Sequence, residues 1–145
     1  MNVIVDTNIV FSGILNTNGA IGDLLFNSAH NIRFCSPNFM QDEIFKYYSK
    51  IQKLSKLPSA QLDLSITKVI SQINLIAEVS ISHNSWISAY ELAKDIDEND
   101  TPFVALTIEL NGVLWTGDKK LMTGLSAKLW NNFMSTKEFQ TLRGY

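Results

Sequence analysis

Four acidic residues occupy positions where a chain can gather them: Asp6, Glu43, Asp100 and Asp118. Asp6 directly follows the apolar run Val3-Ile4-Val5, and Asp118 closely follows Val113-Leu114-Trp115. Asp100 stands just before Thr101-Pro102, and Glu43 lies inside a stretch of helical spacing. Carboxylates that converge repel one another, and their pKa values rise until some are neutral. A hard divalent cation removes that cost, and a donor set made only of oxygen suits Mg²⁺ or Mn²⁺. Such an ion lowers the pKa of a bound water, and a second one steadies the leaving oxygen of an in-line displacement at phosphorus. An acid cluster without histidine therefore suits phosphodiester hydrolysis. Taken singly, each acid has a plainer reading, as a turn residue, a helix cap or a solvated helix carboxylate. The joint pattern is what points to chemistry.

The elements around these acids alternate strand and helix. Val3-Ile4-Val5 is a continuous β-branched run, as expected of a strand buried on both faces. A helix is expected through Asp23 to Phe26, and a second strand around Phe34. Ser36-Pro37 reads as a helix start, serine as cap and proline at the first helical position. That helix is expected to continue through Glu43, Tyr47 and Ile51 to about Leu57. On its wheel Ile44, Tyr47, Ile51 and Leu54 form an apolar stripe, Lys46, Lys50 and Lys53 form a basic one, and Glu43 falls on the border.

After Pro58 the apolar residues Leu62, Ile66, Val69, Ile73 and Ile76 step at helical spacing. A third strand is expected at Ala77 to Ile81 and a helix from Trp86 to Lys94. Thr101-Pro102 opens another helix and Asn111-Gly112 stops it. Val113 to Trp115 is a further strand. Phe133 marks a last one, and Lys137 to Leu142 a short helix. This alternation predicts an α/β sandwich around a mostly parallel central sheet, and the length fits a single domain spanning 1–145. In such sheets ligands gather beyond the carboxyl ends of the strands.

Composition sets bounds without choosing a substrate. The chain has 145 residues, 46% hydrophobic and 18% charged, with a net charge of -2. A strongly basic balance would announce a nucleic-acid binder, and it is absent, although local patches matter more than the sum. Cys35 is the single cysteine, which excludes an intrachain disulfide and a cysteine zinc site, and its strand-like surroundings read as core. His30 and His83 form no metal-type pair. There is no Gly-rich loop ending in Gly-Lys-Ser/Thr. Asp6 interrupts the early apolar stretch, which argues against a secretory leader, and no apolar run nears the roughly 18 residues of a membrane span. A cytoplasmic protein without a membrane segment is the expectation.

Four blocks, in order, carry a resemblance to a known family. Val5-Asp6-Thr7-Asn8-Ile9 looks like the opening signature of PIN domains. Ser36-Pro37 followed by Glu43 resembles their second block. Asp100-Thr101-Pro102-Phe103-Val104-Ala105-Leu106 is similar to the third, and Leu114-Trp115-Thr116-Gly117-Asp118-Lys119 to the fourth, the Thr-Gly-Asp turn. Each block is weak alone, whereas four in order along most of the chain are specific. The resemblance implies a three-layer α/β/α fold and a Mg²⁺- or Mn²⁺-dependent, VapC-like ribonuclease. It implies, by analogy with small bacterial members, a toxin with an antitoxin partner, and a homodimer. Carried over by position, Asp6, Glu43, Asp100 and Asp118 would be the catalytic, metal-binding acids, with Asn8 and Thr116 in support. Many relatives carry a second aspartate two residues after the Thr-Gly-Asp turn, and here that position is Lys120. This departure favours one ion over two, with Asp97 as a substitute acid.

On the nuclease reading, Lys46, Lys50 and Lys53 would contact RNA phosphates, with Lys119 and Lys120 extending the track. Two other readings compete. One is a PIN fold that has lost catalysis and serves as a binding module, to which Lys120 leans. The other is a phosphatase forming an aspartyl-phosphate, in which Asn8 stands where a second aspartate is usual and Glu43 has no role.

Overall fold

The computed structural model describes residues 1–28 and 30–144. Its centre is a five-stranded sheet in the order β3-β2-β1-β4-β5. The strands are β1 (Asn2–Val5), β2 (Arg33–Pro37), β3 (Asn74–Ile76), β4 (Val113–Trp115) and β5 (Phe133–Met134). Every pairing is parallel, with Ile4 opposite Cys35 on one side and Leu114 on the other. Residues 3 to 5 of β1 are completely buried, as two-faced covering of a parallel sheet requires. Strand order reverses beside β1, so the crevice between the carboxyl ends of β1 and β4 is the topological switch point.

Helices cover both faces, giving the three-layer α/β/α sandwich expected. On one side α1 (Thr7–Leu15) packs against α2 (Ala20–Asn27), α3 (Phe39–Lys46), α4 (Tyr48–Ser55) and α5 (Ser59–Ile70). On the other, α6 (His83–Ala93) packs on α7 (Thr101–Glu109), which lies across β1, β2 and β4. The chain ends with α8 (Lys119–Ala127) and α9 (Thr136–Leu142). Phe139 of α9 sets its ring edge-on to buried Trp115, 4.9 Å between centroids, which closes the core near β4. Gly112 is dictated by proximity: a Cβ there would stand 2.6 Å from the Asn2 carbonyl oxygen, so a side chain would push β4 off β1.

Several local expectations are corrected. Ser36 and Pro37 do not start a helix but end β2, in register with Leu75 and Ile76. The Ser36 hydroxyl donates to the Val5 carbonyl at 2.9 Å, so it is unavailable as a cap, and α3 begins at Phe39 after Asn38. The helix expected to run to Leu57 breaks at Tyr47, whose backbone leaves helical geometry (φ -103°, ψ 15°). The break seats the Tyr47 ring edge-on to Phe11 and lets Ile44 and Ile51 both reach the core. Leu54, placed on the apolar stripe, is instead 60% exposed. Helix α5 stops at Ile70, so Ile73 and Ile76 belong to the turn and to β3. The third strand ends at Ile76, and Glu78–Ser80 form a 3-10 turn where strand was expected. Helices α1 and α8 were not anticipated. Among the described residues no single helix is long and apolar enough to cross a membrane.

Candidate active site

Asp6 sits where β1 ends and α1 begins, and the fold holds it by both oxygens. Its Oδ1 accepts from the Thr7 backbone N–H at 2.8 Å. Its Oδ2 accepts from the Thr116 hydroxyl at 2.6 Å and from the Asn8 amide at 3.2 Å. These donors favour the charged carboxylate, but burial outweighs them, and repulsion from Glu43 and Asp118 adds to it. The result is a carboxyl raised from 3.8 to about 6.

Thr116 links the first acid to the fourth. It is fully buried, and while its hydroxyl donates to Asp6 it accepts from the Asp118 backbone N–H at 3.1 Å. The Gly117 N–H donates to Asn8 Oδ1 at 3.2 Å, so the β4 turn is tied to the first turn of α1 at two points. Asp118 caps α8 by accepting from the Leu121 N–H at 3.1 Å.

Asp100 comes from the opposite layer, at the last position of a 3-10 turn (Glu98–Asp100) that leads into α7. Burial and then the charges of Asp6, Asp97, Asp118 and Glu43 push its carboxyl from 3.8 to about 7. Its Oδ2 is buried with no hydrogen-bond partner, as is the Thr101 hydroxyl beside it. A buried carboxylate oxygen without a donor is costly, and the missing partner must be a donor or a cation. Glu43 projects from α3, half-buried, with Oε1 accepting from the Thr7 hydroxyl at 2.6 Å. Burial raises its carboxyl, that hydrogen bond and the nearby charge of Lys46 lower it, and Asp97 raises it again.

The four expected acids are thus brought within electrostatic reach of one another, and Asp97 acts on two of them. Asp97 itself is exposed and caps the 3-10 turn by accepting from Asn99 N–H at 3.0 Å. Among the described residues no three Asp, Glu, His or Cys side chains already stand at metal-binding spacing. The donor set nonetheless fits a hard cation: it is all oxygen, three of its carboxyls are raised, and one buried oxygen lacks a partner.

The lysines divide differently from expectation. Lys46 ends α3 beside Glu43 and over the Tyr47 ring at 5.3 Å, whereas Lys50 and Lys53 lie on α4 beyond the break. All three are exposed, but they are not one continuous helical stripe. Lys119 and Lys120 are exposed in the first turn of α8, next to Asp118. Thr7 and Thr101 were missed by the sequence reading. Thr7 was legible only as part of the block around Asp6, and Thr101 only as a helix-start residue.

A family model described as PIN domain matches residues 4–142. The uncharacterised protein MJ1680 of Methanocaldococcus jannaschii is 28% identical over 127 residues, which is 85% of this chain and 74% of that protein. Two solved structures superpose over nearly the whole chain. VapBC-1 from nontypeable Haemophilus influenzae gives a TM-score of 0.68 at 17% identity, covering 94% of this chain and 99% of its own. VapBC2 from Rickettsia felis, bound to a DNA fragment from the promoter, gives 0.65 at 20% identity, covering 93% and 97%. At these identities the two structures speak to the fold alone.

Proposed function

The chain belongs to the PIN-domain family, and from that premise we propose that it is a ribonuclease dependent on Mg²⁺ or Mn²⁺. In this reading Asp6, Glu43, Asp100 and Asp118 bind the metal and make up the catalytic site. The observation that carries it is Asp100, whose buried Oδ2 has no partner while four other acids crowd its carboxyl. A fold tolerates such an arrangement when a cation completes it. When bound there, the cation supplies a more acidic water and neutralises charge on the scissile phosphate.

The chain's own residues do the rest. Thr116 and Asn8 orient Asp6, and Thr116 also accepts from the backbone of Asp118, so one side chain ties the two acids together. Lys46, Lys50, Lys53, Lys119 and Lys120 hold RNA phosphates, which supplies affinity without reading sequence. Asp97 adds negative charge at the rim in place of the acid replaced by Lys120. An aspartyl-phosphate mechanism gains no support, because the residue two positions after Asp6 is Asn8, which donates to Asp6 and cannot act as the second acid, and Glu43 would have no role. A silent binding module finds support in Lys120 and in acids not yet at metal spacing.

The shared fold with two VapBC structures supports a further part of the proposal, a toxin that pairs with an antitoxin; that it forms a homodimer and acts in the cytoplasm is proposed from the family resemblance alone. Cleavage of a pool of structured RNAs with EDTA, Mg²⁺ or Mn²⁺ tests the core of it. Metal-dependent cleavage supports the nuclease; metal binding without cleavage, or neither, turns the reading to the binding module.

A further inference from the structure

Thr7 spans two acids that no shared element holds together. Asp6 belongs to the end of β1, whereas Glu43 belongs to α3, which follows β2. Thr7 donates its backbone N–H to Asp6 Oδ1 at 2.8 Å and its hydroxyl to Glu43 Oε1 at 2.6 Å. Among the described residues this is the hydrogen bond that the Glu43 carboxylate accepts, and it engages one oxygen while leaving Oε2 open.

The placement of Thr7 explains why its hydroxyl can do this. A threonine within a helix commonly returns its hydroxyl to a carbonyl one turn back. Thr107 does so here, to the Phe103 carbonyl at 2.7 Å. Thr7 is the first residue of α1, so it has no preceding helical turn, and its hydroxyl reaches across to α3 instead. The residue is 6% exposed, and a β-branched side chain in packed surroundings has little rotamer freedom. A short bond to a carboxylate from a fixed donor is charge-assisted and directional.

We infer that Thr7 is a positioning residue, whose hydroxyl holds the Glu43 carboxylate toward Asp6 so that its open oxygen serves the cation. This rests on the reading of the four acids as a cation site, and concerns a residue outside that set.

The test is Mn²⁺ titration calorimetry on the full chain, comparing wild type, Thr7→Val, Thr7→Ser, Glu43→Gln and Thr7→Val/Glu43→Gln. Loss of a group that orients a ligand weakens metal binding by about 10- to 100-fold, which is the expectation for Thr7→Val. Thr7→Ser retains the hydroxyl and should bind within roughly 3-fold of wild type, reflecting only the freer rotamer. In the Glu43→Gln background Thr7→Val should add little, since the two substitutions remove one interaction. Thr7→Ala replaces Thr7→Val if the latter does not fold. Wild-type affinity in Thr7→Val overturns the inference, as does equal weakness of Thr7→Ser and Thr7→Val, an undiminished Thr7→Val loss in Glu43→Gln, or a wild type that binds no Mn²⁺. Thr7-dependent Mn²⁺ binding by a wild type that cuts no RNA supports the positioning role and ends the nuclease reading instead.

Discussion

Asp100→Asn should make the metal-free protein more stable at pH 8 while disabling it. The Asp100 carboxyl is pushed from 3.8 to about 7 by burial and by Asp6, Asp97, Asp118 and Glu43. A carboxyl raised in the folded state binds its proton more tightly there than in the unfolded chain. Its contribution to stability is therefore present near pH 4 and is lost as pH rises through about 7. Each unit between the two pKa values is about 1.4 kcal/mol, so ionising Asp100 costs the fold ~4 kcal/mol before screening. The side chain is only partly buried, and solvent screening brings the figure to about 2 kcal/mol. Asparagine keeps the shape and never ionises.

The matching rise in melting temperature is roughly 4–8 °C for a chain of this length. Thermal melts in EDTA at pH 8 and pH 5 measure it. At pH 5 the folded Asp100 is protonated but the unfolded carboxyl is ionised, so roughly a third of the difference remains and the gap should narrow to about 2–3 °C. Added Mn²⁺ should raise the wild-type melt at pH 8 more than that of Asp100→Asn, because only the native state holds the ion. A variant less stable than wild type at pH 8, or an equal difference at both pH values, refutes the reasoning.

Three other outcomes follow from the same geometry. Thr116→Val removes a buried donor to Asp6 and a buried acceptor for the Asp118 N–H, and should cost about 2–3 kcal/mol in urea unfolding. It should also lower RNA cleavage by about 10- to 100-fold, as loss of a group that orients a ligand does. Replacing Lys46, Lys50 and Lys53 together by glutamine should weaken RNA binding and flatten the log–log salt slope by about 2, at ~0.7 per single-strand phosphate contact. An unchanged slope would remove those lysines from the RNA track. Gly112→Ala should lower stability by about 1–3 kcal/mol in the same assay, because its Cβ meets the Asn2 carbonyl oxygen at 2.6 Å.

The sandwich was legible because its central strands announce themselves. Val3-Ile4-Val5 and Val113-Leu114-Trp115 are short apolar runs with an acid just beyond, and they are the neighbours that form the switch point. Ser36-Pro37 misled because a serine before a proline is a good cap only if its hydroxyl is free, and the Val5 carbonyl claims it. The bend at Tyr47 depends on the packing of Phe11, a residue far off in sequence, so no wheel over 43–54 could foresee it. Helix α1 escaped notice because Thr7–Leu15 is apolar on most sides, five of its nine residues being buried, and shows no single stripe. Helix α8 did carry a signal, Asp118 as cap with Leu121 and Leu125 one turn apart and buried.

The candidate site was legible as residue types and order. Its electrostatics were not, since the pressure on Asp100 comes first from burial and then, besides its sequence neighbour Asp97, from Asp6, Asp118 and Glu43, which only the fold brings near. Thr116 was expected as a supporting residue from the family resemblance, whereas the Thr7 hydroxyl, which donates to Glu43, had no signal beyond its adjacency to Asp6.

RNA cleavage by wild type and Asp6→Asn, each with EDTA or Mn²⁺, tests the central claim most directly. The account predicts cleavage by wild type with Mn²⁺, none with EDTA, and a loss of at least ~100-fold for a folded Asp6→Asn, the scale expected when a charged group at the reacting centre is removed. Cleavage that persists in EDTA, or in Asp6→Asn at the wild-type rate, would contradict it.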